Sequence, residues 1–207
     1  MVMGALAVSA ALGCSKGGPV PSGGTASGAE LFQLCAQCHG AHGEGSHEFS
    51  APAIAGLDEW YVKRQLEHFK SGVRGAHPDD ANGLRMRPMA LSLRNDVDLA
   101  SVAAYTAKLS RAKQESTVKG DVANGQALFA TCSACHGADG RGNEAMKAPP
   151  LANTNDWYLL AQLGKFRAGI RGTNPEDVGG VLMRPMAMTL PDAQAMKDVI
   201  AYAATLK

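Results

Sequence analysis

The 207-residue sequence predicts an all-α protein built from two copies of one small domain. Three observations lead there. The second half repeats the first at a constant offset of 97 residues. Within each copy, apolar residues recur at helical spacing, and no alternating strand pattern of useful length appears. The segments between those helices are long and rich in Gly and Pro, more than a small side-chain core would order by itself.

Composition narrows the possibilities before any element is placed. Hydrophobic residues make up 45% of the chain, which excludes a disordered protein, and the net charge of +1 gives no electrostatic reason for a nucleic-acid partner. No apolar run reaches the ~18 residues that a bilayer span needs.

The N-terminal residues 1–13, MVMGALAVSAALG, are small, apolar and uncharged. That is signal-peptide length, too short for a membrane span. Cys14 follows Ala11-Leu12-Gly13 and resembles the lipidated cysteine of bacterial lipoproteins, so Cys14 is expected to carry a lipid anchor. Residues 14–27 then read as a Gly/Ser/Pro tether with nothing to bury.

The repeat is explicit. Gly28-Ala29-Glu30-Leu31-Phe32 returns as Gly125-Gln126-Ala127-Leu128-Phe129, and Trp60-Tyr61 returns as Trp157-Tyr158. Gly72-x-Arg74-Gly75 returns as Gly169-x-Arg171-Gly172, and Met86-Arg87-Pro88-Met89-Ala90 as Met183-Arg184-Pro185-Met186-Ala187. About 35 of the 83 aligned pairs are identical, without a gap. Domains are therefore expected at 28–110 and 125–207, joined by a polar linker at 111–124. A domain of that size has a marginal core and needs something besides side chains to pack around.

Three main helices are predicted per domain. The first covers 28–38 and 125–135. The second covers 58–71 and 155–168, with Asp58 and Asn155 or Asp156 as N-caps and Gly72 and Gly169 at the C-terminal ends. The third covers 96–109 and 192–206. Loops are expected at 40–57, at 73–95 and in their copies.

Each first helix ends in Cys-x-x-Cys-His: Cys35, Cys38 and His39, then Cys132, Cys135 and His136. This is the attachment sequence of a c-type haem. Residues i and i+3 share a helix face, so two sulfurs reach two vinyl groups of one porphyrin, and the next residue offers an imidazole to its iron. Two cofactors are expected, one covalent haem c per domain. A single zinc site would need both cysteine pairs together, yet they lie in separate repeats. The Met-Arg-Pro-Met loops supply a sixth ligand: Met86 or Met89 in the first domain, Met183 or Met186 in the second. Thioether ligation raises the reduction potential, as suits an electron carrier. Met146, Met188 and Met196 have no counterpart in the first copy and are read as packing or surface residues. His42, His47, His68 and His77 also occur in the first copy alone and are read as solvated side chains.

Several matched pieces resemble the cytochrome c4 family of two-haem class I c-type cytochromes. They are Pro52 in Pro-Ala-Ile, Tyr61 with Gln65-Leu66 and Phe69, Gly72 with Arg74, and Met86. In the second half they are Pro149-Pro150-Leu151, Tyr158 with Gln162-Leu163 and Phe166, Gly169 with Arg171, and Met183. The resemblance covers residues 28–207 and departs at Asn153, where the family has glycine. It implies that Met86 and Met183 are the axial ligands, with Met89 and Met186 as alternatives. It also implies that the carbonyls of Pro52 and Pro149 face the imidazole N–H of His39 and His136. The activity implied is electron transfer without catalysis, in the bacterial periplasm. The partners implied are a cytochrome bc complex as donor and a terminal oxidase as acceptor. Two alternatives remain: an electron-transfer subunit of a dehydrogenase complex, and a dihaem enzyme such as a peroxidase or thiosulfate dehydrogenase. Arg74 and Arg171 are read either as partners of haem propionates or as plain surface arginines.

Overall fold

The computed structural model describes residues 26–207, so the predicted leader, Cys14 and most of the tether lie outside the described residues. Eight helices are described, four in each half. In the first half they are α1 (Gly28–His39), α2 (Glu59–Ser71), α3 (Ala81–Leu91) and α4 (Asp96–Lys108). In the second they are α5 (Val122–His136), α6 (Asp156–Arg167), α7 (Val178–Met188) and α8 (Ala193–Ala203). Among the described residues, no helix is long and apolar enough to cross a membrane.

Local chemistry starts most of these helices. Ser27 and Glu30 form a reciprocal capping box on α1, and Asp121 accepts the Ala123 and Asn124 amides to start α5. Asn95 and Asp192 cap α4 and α8 in the same way. The second helices behave differently: Asp58 and Asn155 occupy the cap positions of α2 and α6, but neither side chain makes a capping bond. For Asn155 the reason is that its side chain is engaged elsewhere, as described below.

The first and last helices of each half cross closely, α1 on α4 and α5 on α8. Gly28 and Gly125 stand at these crossings. A Cβ on either would run into a carbonyl of the facing helix, that of Ser101 or of Asp198, so the repeat keeps glycine at both. Around each crossing, Phe32 packs with Leu93, Leu99 and Val102, and Phe129 with Leu159, Leu190, Val199 and Ile200. Tyr105 and Tyr202 lean on the two phenylalanines, with ring centroids 5.3 and 5.2 Å apart.

The structure adds a fourth helix to each domain, within the stretches expected to be loops. Both α3 and α7 carry a Gly near the start and a Pro inside, which disguises them. Asp80 and Asp177 cap them, accepting the amides of Gly83 and Gly180 at 2.9 Å each. Pro88 and Pro185 sit in the last turn, where the missing N–H removes one bond without breaking the helix. The departure at Asn153 leaves the loop path intact. Asn153 has φ 53°, close to the 64° of its counterpart Gly56, and asparagine tolerates this left-handed region better than most residues.

The two halves meet along α2 and α6 and the turns that follow them, and the contacts are nearly twofold symmetric. Arg74 donates to Gln65 in its own domain at 2.6 Å, and to Gln162 and the Tyr158 hydroxyl across the boundary at 3.1 and 3.0 Å. Arg171 mirrors this, donating to Gln162 at 2.9 Å and to Gln65 at 3.1 Å. Lys165 on α6 reaches the Asp80 cap at 2.6 Å; its counterpart His68 stands 3.7 Å from Asp177.

Candidate functional site

The end of α1 determines where the three motif residues of the first domain point. Cys35 and Cys38 lie one helical turn apart and His39 closes the helix. All four motif cysteines are free of disulfides, with Cys38 exposed and the other three half-buried. Before any haem is attached, burial pushes the thiols of Cys35 and Cys132 above their ordinary range. Gly40 and Gly137, at φ 83° and 80°, turn the chain away directly after the histidines.

His39 and His136 are both buried. The Nδ1 of His39 lies 2.7 Å from the Pro52 carbonyl oxygen, and that of His136 lies 2.8 Å from the Pro149 oxygen. A carbonyl can only accept, so Nδ1 carries the proton and Nε2 keeps its lone pair. Burial pulls both imidazole pKa values down, against a smaller opposing effect of the carbonyl bond. Each ring is thus a neutral, oriented nitrogen donor, the form that binds a metal.

The methionines lie on helices, contrary to the expectation of loops. Met86 and Met183 are half-buried on α3 and α7, while Met89 and Met186 are 39% and 41% exposed. Their helices begin at the Asp80 and Asp177 caps, so the placement of each methionine is tied to the domain boundary. The two cysteine pairs belong to different domains, and among the described residues no group of three or more His, Cys, Asp or Glu converges into a metal site.

The residues fit an iron porphyrin. Besides the sulfurs and the imidazole lone pair, Nε of Arg64, Arg74, Arg87 and Arg171 are buried without an acceptor. Buried guanidinium donors need an acceptor, and the carboxylates that a porphyrin brings are strong ones. Arg74 and Arg171 are not the plain surface residues that one reading allowed. Arg74 is 8% exposed, and both arginines join the two domains through their Nη atoms. Each also stacks on a phenylalanine, Phe69 at 4.5 Å and Phe166 at 4.6 Å. Burial works against ionisation of Tyr158, but Arg74 and Arg171 outweigh it and hold that phenol below its usual range.

Three of the four histidines read as solvated have structural partners: His77 Nδ1 accepts the Asp79 amide at 3.2 Å, and the other two reach further along the chain. His47 meets the Trp157 ring edge-on across the boundary at 5.1 Å, and His68 faces Asp177. Gln65, Gln162 and the linker contacts were outside the functional reading of the sequence. A signal for part of this set was present: Gln65/Gln162, Arg74/Arg171 and Asp80/Asp177 are polar residues kept unchanged in both copies.

Comparison with known proteins agrees with this geometry. The cytochrome c family model matches twice, over residues 25–110 and 122–207. A thiosulfate dehydrogenase electron acceptor of Stutzerimonas stutzeri is 33% identical over 178 residues, spanning 81% of this chain and 77% of that protein. Cytochrome c4 of Pseudomonas aeruginosa is 31% identical over 197 residues, spanning 90% and 89%. Among solved structures, cytochrome c4 of Acidithiobacillus ferrooxidans superposes with a TM-score of 0.70 at 30% identity, covering 84% of this chain and 99% of that one. The chain belongs to the cytochrome c family, as a cytochrome c4-like protein of two domains carrying two covalent haem c groups.

Proposed function

We propose that this electron carrier holds each haem by two thioethers and a His–Met pair. Cys35, Cys38, His39 and Met86 serve the first domain; Cys132, Cys135, His136 and Met183 serve the second. The bound haem supplies a reversible ferric–ferrous couple. The protein's part is to orient and to enclose. The Pro52 and Pro149 carbonyls hold the imidazoles in one tautomer and make them better donors. Met86 and Met183 are preferred because they are the less exposed member of each pair. The observation that carries the reading is the identical His–carbonyl bond in both domains, 2.7 and 2.8 Å. With Met86 and Met183 holding the irons, neither iron would be open to substrate, and the chain would act as a carrier and not as an enzyme. Its test is the optical spectrum of the oxidised protein. The weak far-red band of an iron–methionine bond, at an intensity for two haems, is expected; its absence from either haem overturns the ligation.

Electrons would pass between respiratory partners in the periplasm, from a cytochrome bc complex to a terminal oxidase, with Cys14 lipidated as a membrane tether. A second reading is favoured by the similarity to a thiosulfate dehydrogenase electron acceptor: the chain would take electrons from one tightly bound dehydrogenase. Stoichiometric co-purification with such an enzyme supports the second reading, and rapid exchange with free oxidase supports the first.

A further inference from the structure

Among the places where the two copies differ is the start of the second helix. The first domain has Leu57-Asp58-Glu59 there, and the second has Thr154-Asn155-Asp156. The side chains of the first triplet make no hydrogen bond across the boundary, whereas each member of the second triplet binds chain outside its own domain.

Thr154 Oγ1 accepts from Arg111 in the linker at 2.9 Å. Asn155 spans two segments. Its Oδ1 accepts the Ala53 amide of the first domain at 2.7 Å, and its Nδ2 donates to Gln114 of the linker at 2.6 Å. Asp156, 1% exposed, gathers the linker's next turn: it accepts the amides of Thr117 and Val118 and the hydroxyls of Ser116 and Thr117. Burial raises its pKa, but these donors outweigh burial and keep it an anion. The linker read from sequence as a polar connector is therefore a strap fastened along its length.

The asymmetry has a physical reason. Ala53 has an amide to satisfy, whereas its counterpart Pro150 has none, so an acceptor is needed on one side only. The linker touches the first domain at Gly56 through Arg111, but its side-chain hydrogen bonds to a domain, at Arg111, Gln114, Ser116 and Thr117, go to the second. Asn155 leaves α6 without a side-chain cap in order to make these bonds, a local cost that the interdomain contacts offset.

We propose that Thr154, Asn155 and Asp156 are positioning residues: together they clamp the linker and the first domain onto α6, and so set the distance and orientation between the two haems. This rests on the reading above of two redox-active haems in one carrier, and takes electrons to pass between the domains. Electron exchange between fixed centres depends steeply on geometry, and strap contacts that are buried and charged hold geometry better than exposed ones.

The test uses the full two-haem protein and its variants Asp156→Ala, Asp156→Asn and Asn155→Ala, with Glu59→Gln at the equivalent site of the first domain as control. Amide exchange at Thr117 and Val118 is expected to accelerate at least about tenfold in the Asp156 variants. Equilibration between the haems after flash reduction is expected to slow about tenfold or more, with the spectrum of each haem unchanged. The isosteric asparagine keeps the test valid should the alanine protein fail to fold. Faster amide exchange with unaltered interhaem equilibration overturns the positioning role, and unaltered amide exchange overturns the clamp itself. A wild-type protein in which the haems never equilibrate overturns the parent reading instead, while amide exchange still decides the clamp.

Discussion

Replacing Lys165 by Met separates two ideas about the domain boundary, that it is a passive contact or that it is held by a buried ion pair. Lys165 Nζ lies 2.6 Å from Asp80 Oδ1, with the two side chains 15% and 3% exposed. The same carboxylate caps α3 through the Gly83 amide. Removing the ammonium leaves an anion with one backbone donor and a neighbouring arginine. Breaking a buried pair costs ~3–5 kcal/mol, and the partial exposure of Lys165 brings the expectation to about 2–4 kcal/mol. Burial alone would raise the Asp80 pKa, but Lys165, the Gly83 amide and Arg74 outweigh it and hold the carboxyl below its ordinary range. A depressed carboxyl contributes stability above its unfolded pKa and loses it as pH falls through the folded one. In Lys165→Met the stabilisation from that depressed carboxyl is already missing at neutral pH, so less stability remains to be lost on acidification and the acid midpoint should move up. Denaturant unfolding of the haem-loaded protein, in a double-mutant cycle with Asp80→Asn, measures the coupling; the asparagine keeps an oxygen for the cap. A change below ~0.5 kcal/mol with an unmoved acid midpoint would refute the buried-pair account. His68→Gln on the opposite side serves as contrast. His68 stands 3.7 Å from Asp177, beyond hydrogen-bond distance, and its pKa is pulled down by burial, so its loss should cost much less.

Three further outcomes are expected. Cys35→Ala with Cys38→Ala should leave the first domain protease-sensitive while the second keeps its haem and helices, as limited proteolysis would show. Met183→Ala should abolish the far-red band of one haem and lower its potential, with the other haem unaffected in a redox titration. Phe32→Ala, at a fully buried position, should cost about 3–5 kcal/mol and show as a lower unfolding midpoint.

Much of the fold was legible because the chain carries its own alignment. The helices around Phe32 and Phe129 follow from apolar spacing, and the Cys-x-x-Cys-His ends follow from chemistry that tolerates little variation. The helices α3 and α7 were not legible, and Gly83 shows why. A Cβ there would strike the Asp80 carboxylate and the turn at Gly75, so glycine is demanded by close packing, while in sequence it signals a loop. Pro88 misleads in the same way, since its cost depends on lying in the last turn. The boundary was hidden for another reason. Nothing local distinguishes Asn155 capping α6 from Asn155 reaching Ala53, because the partner is 102 residues away. Arg74 likewise reads as a propionate partner or a surface residue, and its place at the boundary is visible only once Tyr158 and Gln162 stand opposite it.

The account stands or falls on two haems joined to this polypeptide through Cys35–Cys38 and Cys132–Cys135. Intact-mass measurement of protein matured in a haem-attaching host, followed by peptide mapping, tests it most directly. Two porphyrin adducts, one on each cysteine pair, are predicted. A bare chain, or a single adduct, would contradict it.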